Sequence, residues 1–453
     1  MLDELEFEHC AHSRDPVTGC ALEGVASVVA GIEDVSIVIH SPQGCAATVA
    51  SAFDAHEIDF TRRKIGCTRL FETDIIMGAG EKLENLIRDA DKSFNRGVMF
   101  VVGTCAADII GEDIEGLCKS IQPEVNARLI PVVAGGFRGT SYDGIDLGLK
   151  ALTPFIQKGQ SMQKGCGDRN WVNILAPQAS INPTWMADMQ WAREVLEQLD
   201  IGVGTVLSHG ASIEGLETFG EAGANILLSL DAGRGFAKRM QEKESIPLIL
   251  GDIPLPVGLT NTARWLRAVG TYFDREEQAE AIIKAGEDRV ADVLRRRALM
   301  IIPRYRNLKV AVSADATFGI SILRMLFEEL EMIPELVLIR SDNHEARTIL
   351  EREVKSLGIS PKVAFGADGY RIKKALEDSR VDAVVGSSWE KYMAEEIGIK
   401  VAFDLFTPTN RDIYLDRSYM GYEGMLNMLE IIGNDWERAF RSREIDWEQY
   451  TAV

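Results

Sequence analysis

A chain of 453 residues with 69 acidic and 49 basic side chains, net charge −20, offers no basic face for nucleic acid or an anionic membrane. At 46% hydrophobic and 26% charged it has the composition of an ordinary folded protein, and it is too long for one core. The acidic start lacks the order of a secretory signal, and no apolar run approaches the ~18 residues of a membrane span, so a cytoplasmic protein is expected.

In chain order, Val35–His40 (VSIVIH) reads as a buried strand running into a turn at Ser41–Gly44. Met99–Val102 with Gly103 reads as a second strand and Leu129–Val133 as a third, with helical periodicity over Gly80–Ala90 and Asp108–Ile121. A polar stretch, Lys158–Arg169, reads as a linker. Beyond it, Val172–Ala176, Gly202–Leu207 and Ile226–Leu230 read as strands, with a helix over Trp185–Leu199. Pro247–Leu250 and the loop Gly251–Gly258 precede a helix from Asn261, and a charged helix covers Arg275–Arg297. A third series has strands at Lys309–Ser313, Glu335–Ile339, Lys362–Phe365 and Asp382–Gly386, with helices from Phe318, His344 and Gly369. Strand, turn, helix, strand is the βαβ pattern of a parallel sheet. The expected class is α/β, with three doubly wound, Rossmann-like domains at 1–165, 166–300 and 301–453, the first binding a cluster and the last ending in a helical tail.

All seven cysteines (Cys10, Cys20, Cys45, Cys67, Cys105, Cys118 and Cys166) fall in the first 166 residues. In a reducing compartment they are thiols or metal ligands, not disulfides. Cys20, Cys45 and Cys105 each follow a glycine-bearing turn, and the last two come directly after strands whose carboxyl ends gather on one sheet edge. Thiolates there suit an iron–sulfur cluster, but the spacing equally fits buried structural cysteines. Three ligands do not close a four-cysteine site, so either Cys67 is the fourth or a partner subunit shares the site.

Cys118 lies on the apolar face of a helix and reads as core, while Cys166 sits in the polar linker. Cys10, between His9 and His12, reads as an incidental terminal cluster more readily than as a metal site. His40 either orders the following loop by a hydrogen bond or handles a proton. Thr104 is placed to donate to a cluster sulfur, and Asp108 to start a helix. Arg62, Arg63, Lys64 and Arg69 form a basic patch, solvated or facing a partner. No phosphate-binding G-x-x-x-x-G-K-[ST] occurs, so ATP hydrolysis would belong to another protein. The six histidines form neither an H-E-x-x-H motif nor a Ser–His–Asp arrangement.

Four segments carry a resemblance: Cys20-Ala-Leu-Glu-Gly-Val25, His40-Ser-Pro-Gln-Gly-Cys45, Glu72-Thr-Asp-Ile-Ile-Met-Gly78 and Thr104-Cys105-Ala-Ala-Asp-Ile-Ile-Gly111-Glu-Asp113. Together they resemble the nitrogenase component 1 superfamily. That superfamily comprises catalytic subunits of nitrogenases, cofactor-assembly scaffolds, dark-operative chlorophyll-biosynthesis reductases and methylthio-alkane reductases. The likeness continues more weakly through Pro247–Gly258 and Gly421-Tyr422-Glu423-Gly424.

The resemblance implies that Cys20, Cys45 and Cys105 hold half of a P-cluster of [8Fe-7S] type, the other half held by a related α-type subunit in an α2β2 assembly. It implies an electron relay from an ATP-dependent iron–sulfur reductase to the partner's active-site metallocofactor. Where β subunits of true nitrogenases offer a serine to the oxidised cluster, the matching loop Gly135–Gly139 offers glycine. Alpha-type subunits bind the metallocofactor through a cysteine in the middle domain and a histidine near the C-terminus. This chain has no cysteine after Cys166 and no histidine after His344, which implies the β-type role. Only 19 residues precede Cys20, so the long N-terminal extension of molybdenum-nitrogenase β subunits is missing. The wording GCALEG, HSPQGC and CTRLFETD is most similar to the β subunit of a methylthio-alkane reductase, which cleaves C–S bonds. The alternatives are the β subunit of a vanadium or iron-only nitrogenase and a cofactor-assembly scaffold.

Overall fold

Runs such as Val98–Gly103, in which every residue is buried, belong in the interior of a sheet covered on both faces. The computed structural model of the protein describes residues 2–7, 17–55, 63–156, 170–175, 183–207, 209–298 and 304–441. Its strands in the first half are Asp3–Glu4 (β1), Val35–His40 (β2), Lys64–Cys67 (β3), Val98–Gly103 (β4), Arg128–Val133 (β5), Trp171–Leu175 (β6), Gly202–Leu207 (β7), Ala224–Leu227 (β8) and Leu248–Ile249 (β9). The second half adds Lys309–Ala314 (β10), Ile333–Ile339 (β11), Lys362–Ala364 (β12), Ala383–Gly386 (β13) and Val401–Asp404 (β14). Every pairing among them is parallel.

The strands form three sheets, ordered β3-β2-β4-β5, β7-β6-β8-β9 and β1-β12-β11-β10-β13-β14. In each, the chain winds outward to one side and then restarts on the other, the doubly wound plan expected for the α/β class. The chain divides into two compact units: Thr18–Ser180 with Asp200–Gly251, and Met1–Val17 with Ile181–Leu199 and Asp252–Val453.

The sheet β3-β2-β4-β5 is covered by two helical layers. On one face Leu83 and Ile87 of α4 (Gly80–Phe94) join Ile114, Cys118 and Ile121 of α6 (Ile114–Ile121) around Val38, Met99 and Val101. On the other face α1 (Ala21–Ala30) and α7 (Ser141–Leu152) cross at backbone distance. A Cβ on Gly24 would stand 2.0 Å from the Ser141 carbonyl oxygen, and one on Gly144 would stand 2.1 Å from that of Ala21. Glycine at both positions is what lets the two helices meet, and it seats the start of α1.

In the six-stranded sheet the winding reverses between β10 and β13. That crevice is filled by the chain's own charges: buried Arg340, just after β11, is ion-paired with fully buried Glu390. Ser313 donates to the same carboxylate at 3.1 Å, and the Ser387 N–H donates to its other oxygen at 2.8 Å.

Two boundaries differ from the sequence reading. The helix expected over Asp108–Ile121 is two helices, α5 (Cys105–Ile110) and α6, separated where Gly111 turns left-handed at φ +69°. Asp113 then caps the second through the Gly116 N–H at 2.9 Å. The helix expected from Asn261 begins at Gly258, because Glu329 accepts the Leu259 and Thr260 N–H groups at 2.7 and 3.0 Å. Cys10, Cys166, His9, His12 and Arg62 lie outside the described residues.

Because the clash at Gly144 is with backbone, no rotamer change relieves it. Gly144→Ala is expected to destabilise the unit that carries β2 by about 1–3 kcal/mol. A urea titration followed by circular dichroism, parent against variant, checks this; an unchanged midpoint contradicts the close crossing.

Candidate functional site

In the sheet β3-β2-β4-β5 the winding reverses between β2 and β4, whose register pairs His40 with Gly103. Both chains therefore leave the sheet at the same level. After His40 the chain passes Ser41-Pro42 and enters α2 (Gln43–Ala55), so Gln43 and Gly44, read as part of a turn, are helical and Cys45 lies in the first helical turn. After Gly103, Thr104 has extended backbone and Cys105 opens α5. Cys20 has extended backbone at the start of α1, and its carbonyl accepts from the Glu23 N–H at 3.0 Å. Each of the three cysteines thus stands at a helix start. Gly19 before Cys20 is left-handed at φ +59°, and a Cβ there would fall 1.8 Å from a Glu23 carboxylate oxygen.

Cys20, Cys45 and Cys105 are near enough for their charges to act on one another. Burial raises the Cys45 thiol first, and negative charge on Cys105, on Cys20 and on Cys67 raises it further. Burial also leads the upward shift of Cys20, and Glu23 and Cys105 add to it. Glu23 is itself raised by burial, so an acid and several thiols crowd one edge of the sheet. Cys20 and Cys45 therefore resist ionising alone and would be stabilised as thiolates by nearby positive charge, which metal ions supply. Among the described residues no group of three His, Cys, Asp or Glu is arranged around a single metal ion.

One loop braces two of the thiols. The Ala134 N–H extends the ladder to the Gly103 carbonyl at 2.8 Å, and the Gly136 N–H donates to Cys105 Sγ at 2.8 Å. The Gly139 carbonyl then accepts from the Ala21 N–H, and the Ser141 N–H donates to the Thr18 carbonyl at 3.1 Å. Gly135 is required at the tightest point, where a Cβ would lie 3.3 Å from the Cys105 nitrogen and 2.2 Å from an Asp108 oxygen.

Thr104 donates through Oγ1 to the His40 carbonyl at 2.8 Å; that bond occupies the hydroxyl expected to reach a cluster sulfur. Asp108, read as starting a helix, lies in the first turn of one that begins at Cys105, and its carboxylate pairs with Arg138 at 3.3 Å. Cys118 is core as read, with burial pushing its thiol up to about 12. Cys67, the last residue of β3, is half-buried against Ser41 and Pro42. Sequence reasoning missed the Gly136 N–H and Glu23; the glycine pair after a strand was the one available signal for the first.

His40 is completely buried, and neither ring nitrogen has a hydrogen-bond partner. Nε2 lies 3.9 Å from Glu112, too far for a hydrogen bond. Burial lowers its pKa from 6.5 to about 4, partly countered by Asp74 and reinforced by Lys82, so the ring is neutral at pH 7. The unfolded chain binds the proton more tightly, so this contribution to stability is present above pH 6.5 and lost as pH falls toward 4. The loss is expected to reach about 3 kcal/mol. Denaturant midpoints at pH 7 and pH 4.5 should fall less in His40→Phe than in the parent; equal falls contradict a neutral buried ring.

The elements that carry and flank the thiols also expose large apolar side chains. Ile76 and Met77 of α3 (Glu72–Met77) are 79% and 83% exposed, Ile109 of α5 67% and Phe137 74%. Large side chains exposed together in this way mark an interaction surface. Among the described residues, no helix is long and apolar enough to cross a membrane.

A family model, nitrogenase component 1 type oxidoreductase, matches residues 20–437. The nitrogenase molybdenum-iron protein alpha chain of Methanothermobacter thermautotrophicus is 24% identical over 427 residues, covering 90% of this chain and 86% of that one. The molybdenum-iron protein beta chain of Methanococcus maripaludis is 23% identical over 455 residues, covering 93% of each. The cofactor biosynthesis protein NifE of a Nostoc species is 23% identical over 451 residues, covering 94% and 85%. A solved structure described as nitrogenase Cp1 at pH 6.5 shares the fold with a TM-score of 0.80 at 18% identity, over 99% of this chain and 98% of that one.

Proposed function

The chain belongs to the nitrogenase component 1 type oxidoreductase family, and from that premise we propose that it is the β-type subunit of a nitrogenase-like reductase. The observation that carries the reading is the grouping of Cys20, Cys45 and Cys105 at the carboxyl edge where the β2 and β4 windings diverge. When bound, a P-cluster of [8Fe-7S] type, shared with the partner subunit, supplies one-electron storage between an ATP-dependent reductase and the partner's metallocofactor.

This chain's own contribution is to hold and shield. Cys20, Cys45 and Cys105 are the ligands it offers. The Gly136 N–H on Cys105 Sγ withdraws charge from that sulfur, and the amino end of α2 does the same beside Cys45. The exposed Ile76, Met77, Ile109 and Phe137 give an α-type partner a surface to cover, which excludes water from the thiols. The β-type assignment rests on composition: no cysteine follows Cys166 and no histidine follows His344, so the metallocofactor is held by the partner.

For the reaction we propose reductive C–S cleavage of methylthio-alkanes, supported by the wording of the segments around Cys20, Cys45 and Cys67. Two electrons and two protons would convert dimethyl sulfide into methanethiol and methane. The complex, purified anaerobically with its α-type partner and supplied with its reductase and ATP, should release methanethiol from dimethyl sulfide. Reduction of dinitrogen with dimethyl sulfide untouched would instead identify a true nitrogenase. Cys105→Ala should lose most of the iron counted in the parent complex; an unchanged iron content would sink the ligand assignment.

A second reading, a cofactor-assembly scaffold, is favoured by the comparable match to NifE. A scaffold would restore activity to a cofactor-free enzyme in mixed extracts while showing no steady turnover of its own.

A further inference from the structure

Two of the three thiols are carried by elements that share one root. Helix α1 opens just after Cys20 and closes at Ala30, and β2 opens at Val35 and runs toward the turn before Cys45. Gly31–Asp34 joins them. At 1.5 Å per residue α1 is about 15 Å long, and at 3.3 Å per residue β2 is about 20 Å long, so a tilt at this junction displaces both far ends. The junction is fastened to the second sheet of the same unit. Ala211, which follows β7, donates to the Gly31 carbonyl at 3.2 Å, and its own carbonyl accepts the Glu33 N–H at 2.8 Å, forming a parallel bridge between Ile32 and Ala211. The Asp34 carboxylate completes the join, both oxygens accepting from the Ile213 N–H at 3.0 and 3.1 Å.

Ile213 opens the short helix Ile213–Glu217, which has its own cap: Ser212 accepts the Gly215 N–H at 3.0 Å. The Asp34 bond is thus not spent on starting that helix; it ties the helix to the α1–β2 junction. The second sheet also backs α7, the helix that α1 crosses. Asp146, two residues from Gly144 and so on the opposite side of α7, accepts the Gly233 N–H at 2.9 Å at the start of the helix Arg234–Glu244. We infer that Asp34 is a positioning residue for Cys20 and Cys45, fixing the common root of the two elements that present them, an inference that rests on the iron–sulfur reading above. Its loss moves two ligands together and spares Cys105, which the Gly136 N–H braces separately.

In the anaerobically purified complex with its partner subunit, the bond can be broken from either end. Asp34→Ala removes the acceptor. Ile213→Pro removes the donor at a helix start, where proline is tolerated, and Ser212 before it already has extended backbone at φ −129°, ψ 163°. Both variants should show about tenfold faster hydrogen exchange at the α1 amides, a changed electron paramagnetic resonance spectrum and a shifted midpoint potential. Asp34→Asn, which keeps an acceptor oxygen, should return all three readouts most of the way to the parent. Asp382→Ala deletes a comparable tie, to the Lys309 N–H at 3.0 Å, in the other unit, and should leave spectrum and potential parental. Iron-loaded Asp34→Ala and Ile213→Pro complexes with parental spectra and potentials would overturn the inference and leave the cluster reading standing. A parent complex without iron would overturn both together. Should Asp34→Ala fail to assemble, Ile213→Pro decides alone.

Discussion

The backbone excursion from Ala134 to Ser141 is the element on which the site's geometry turns. It starts from the sheet ladder at Gly103, donates to Cys105 Sγ, and finishes by holding the residues on either side of Cys20. These contacts are made with main-chain groups, so they place two thiols from separate helices without depending on any side chain of the loop. The glycines serve that purpose: at Gly135 a larger residue would press on the start of α5. Cys45 reaches the same place by a different route, through the register of β2 against β4. A slip of one residue there would turn every β2 side chain to the opposite face and carry the following helix with it.

How much of this could be read from the sequence depended on how local the cause was. Val35–His40 and Gly202–Leu207 were bounded correctly from their local patterns; the first is buried throughout, as a central parallel strand is, and the second only over Thr205–Leu207. The charged helix Glu276–Arg295 fell within a residue or two of its reading for the same reason, its periodicity being internal. Helix starts set at long range were missed. Gly258 begins a helix because Glu329, 70 residues beyond Leu259, accepts its first N–H groups, and nothing near Gly258 signals it. Helix α1, nearly all apolar and small, lacks the polar face that marks a surface helix; its meaning lies in its partner α7. In the site itself the cysteines were legible by type and by the turns before them. Their braces were not, because an N–H donor has no letter of its own.

Thr104 and His40 show how one bond redistributes roles. The Thr104 hydroxyl was the natural donor to a neighbouring sulfur, yet it is used to tie β4 to β2. His40 is left with a ring that bonds to nothing and stays neutral in an apolar setting. The main-chain donor at Gly136 takes over the task that a hydroxyl would have had. In the C-terminal unit the equivalent crevice is occupied by Arg340 and Glu390. The same sheet plan therefore yields an open edge lined by thiols in one unit and a closed, charge-filled one in the other.

The glycine crossing of α1 and α7 has a mechanical consequence for Cys20. Helices that touch through carbonyls and Cα atoms have no side-chain rotamers between them to absorb a displacement, so the crossing is stiff. A ligand mounted at the end of such a helix keeps its position when the charge on its sulfur changes. For a group that gains and loses electrons, the energy spent in rearranging ligands sets much of the barrier to transfer. On the function proposed above, Gly144, packed against Ala21, and Gly24, one turn from Cys20, would in this way govern how fast charge passes through the sulfur.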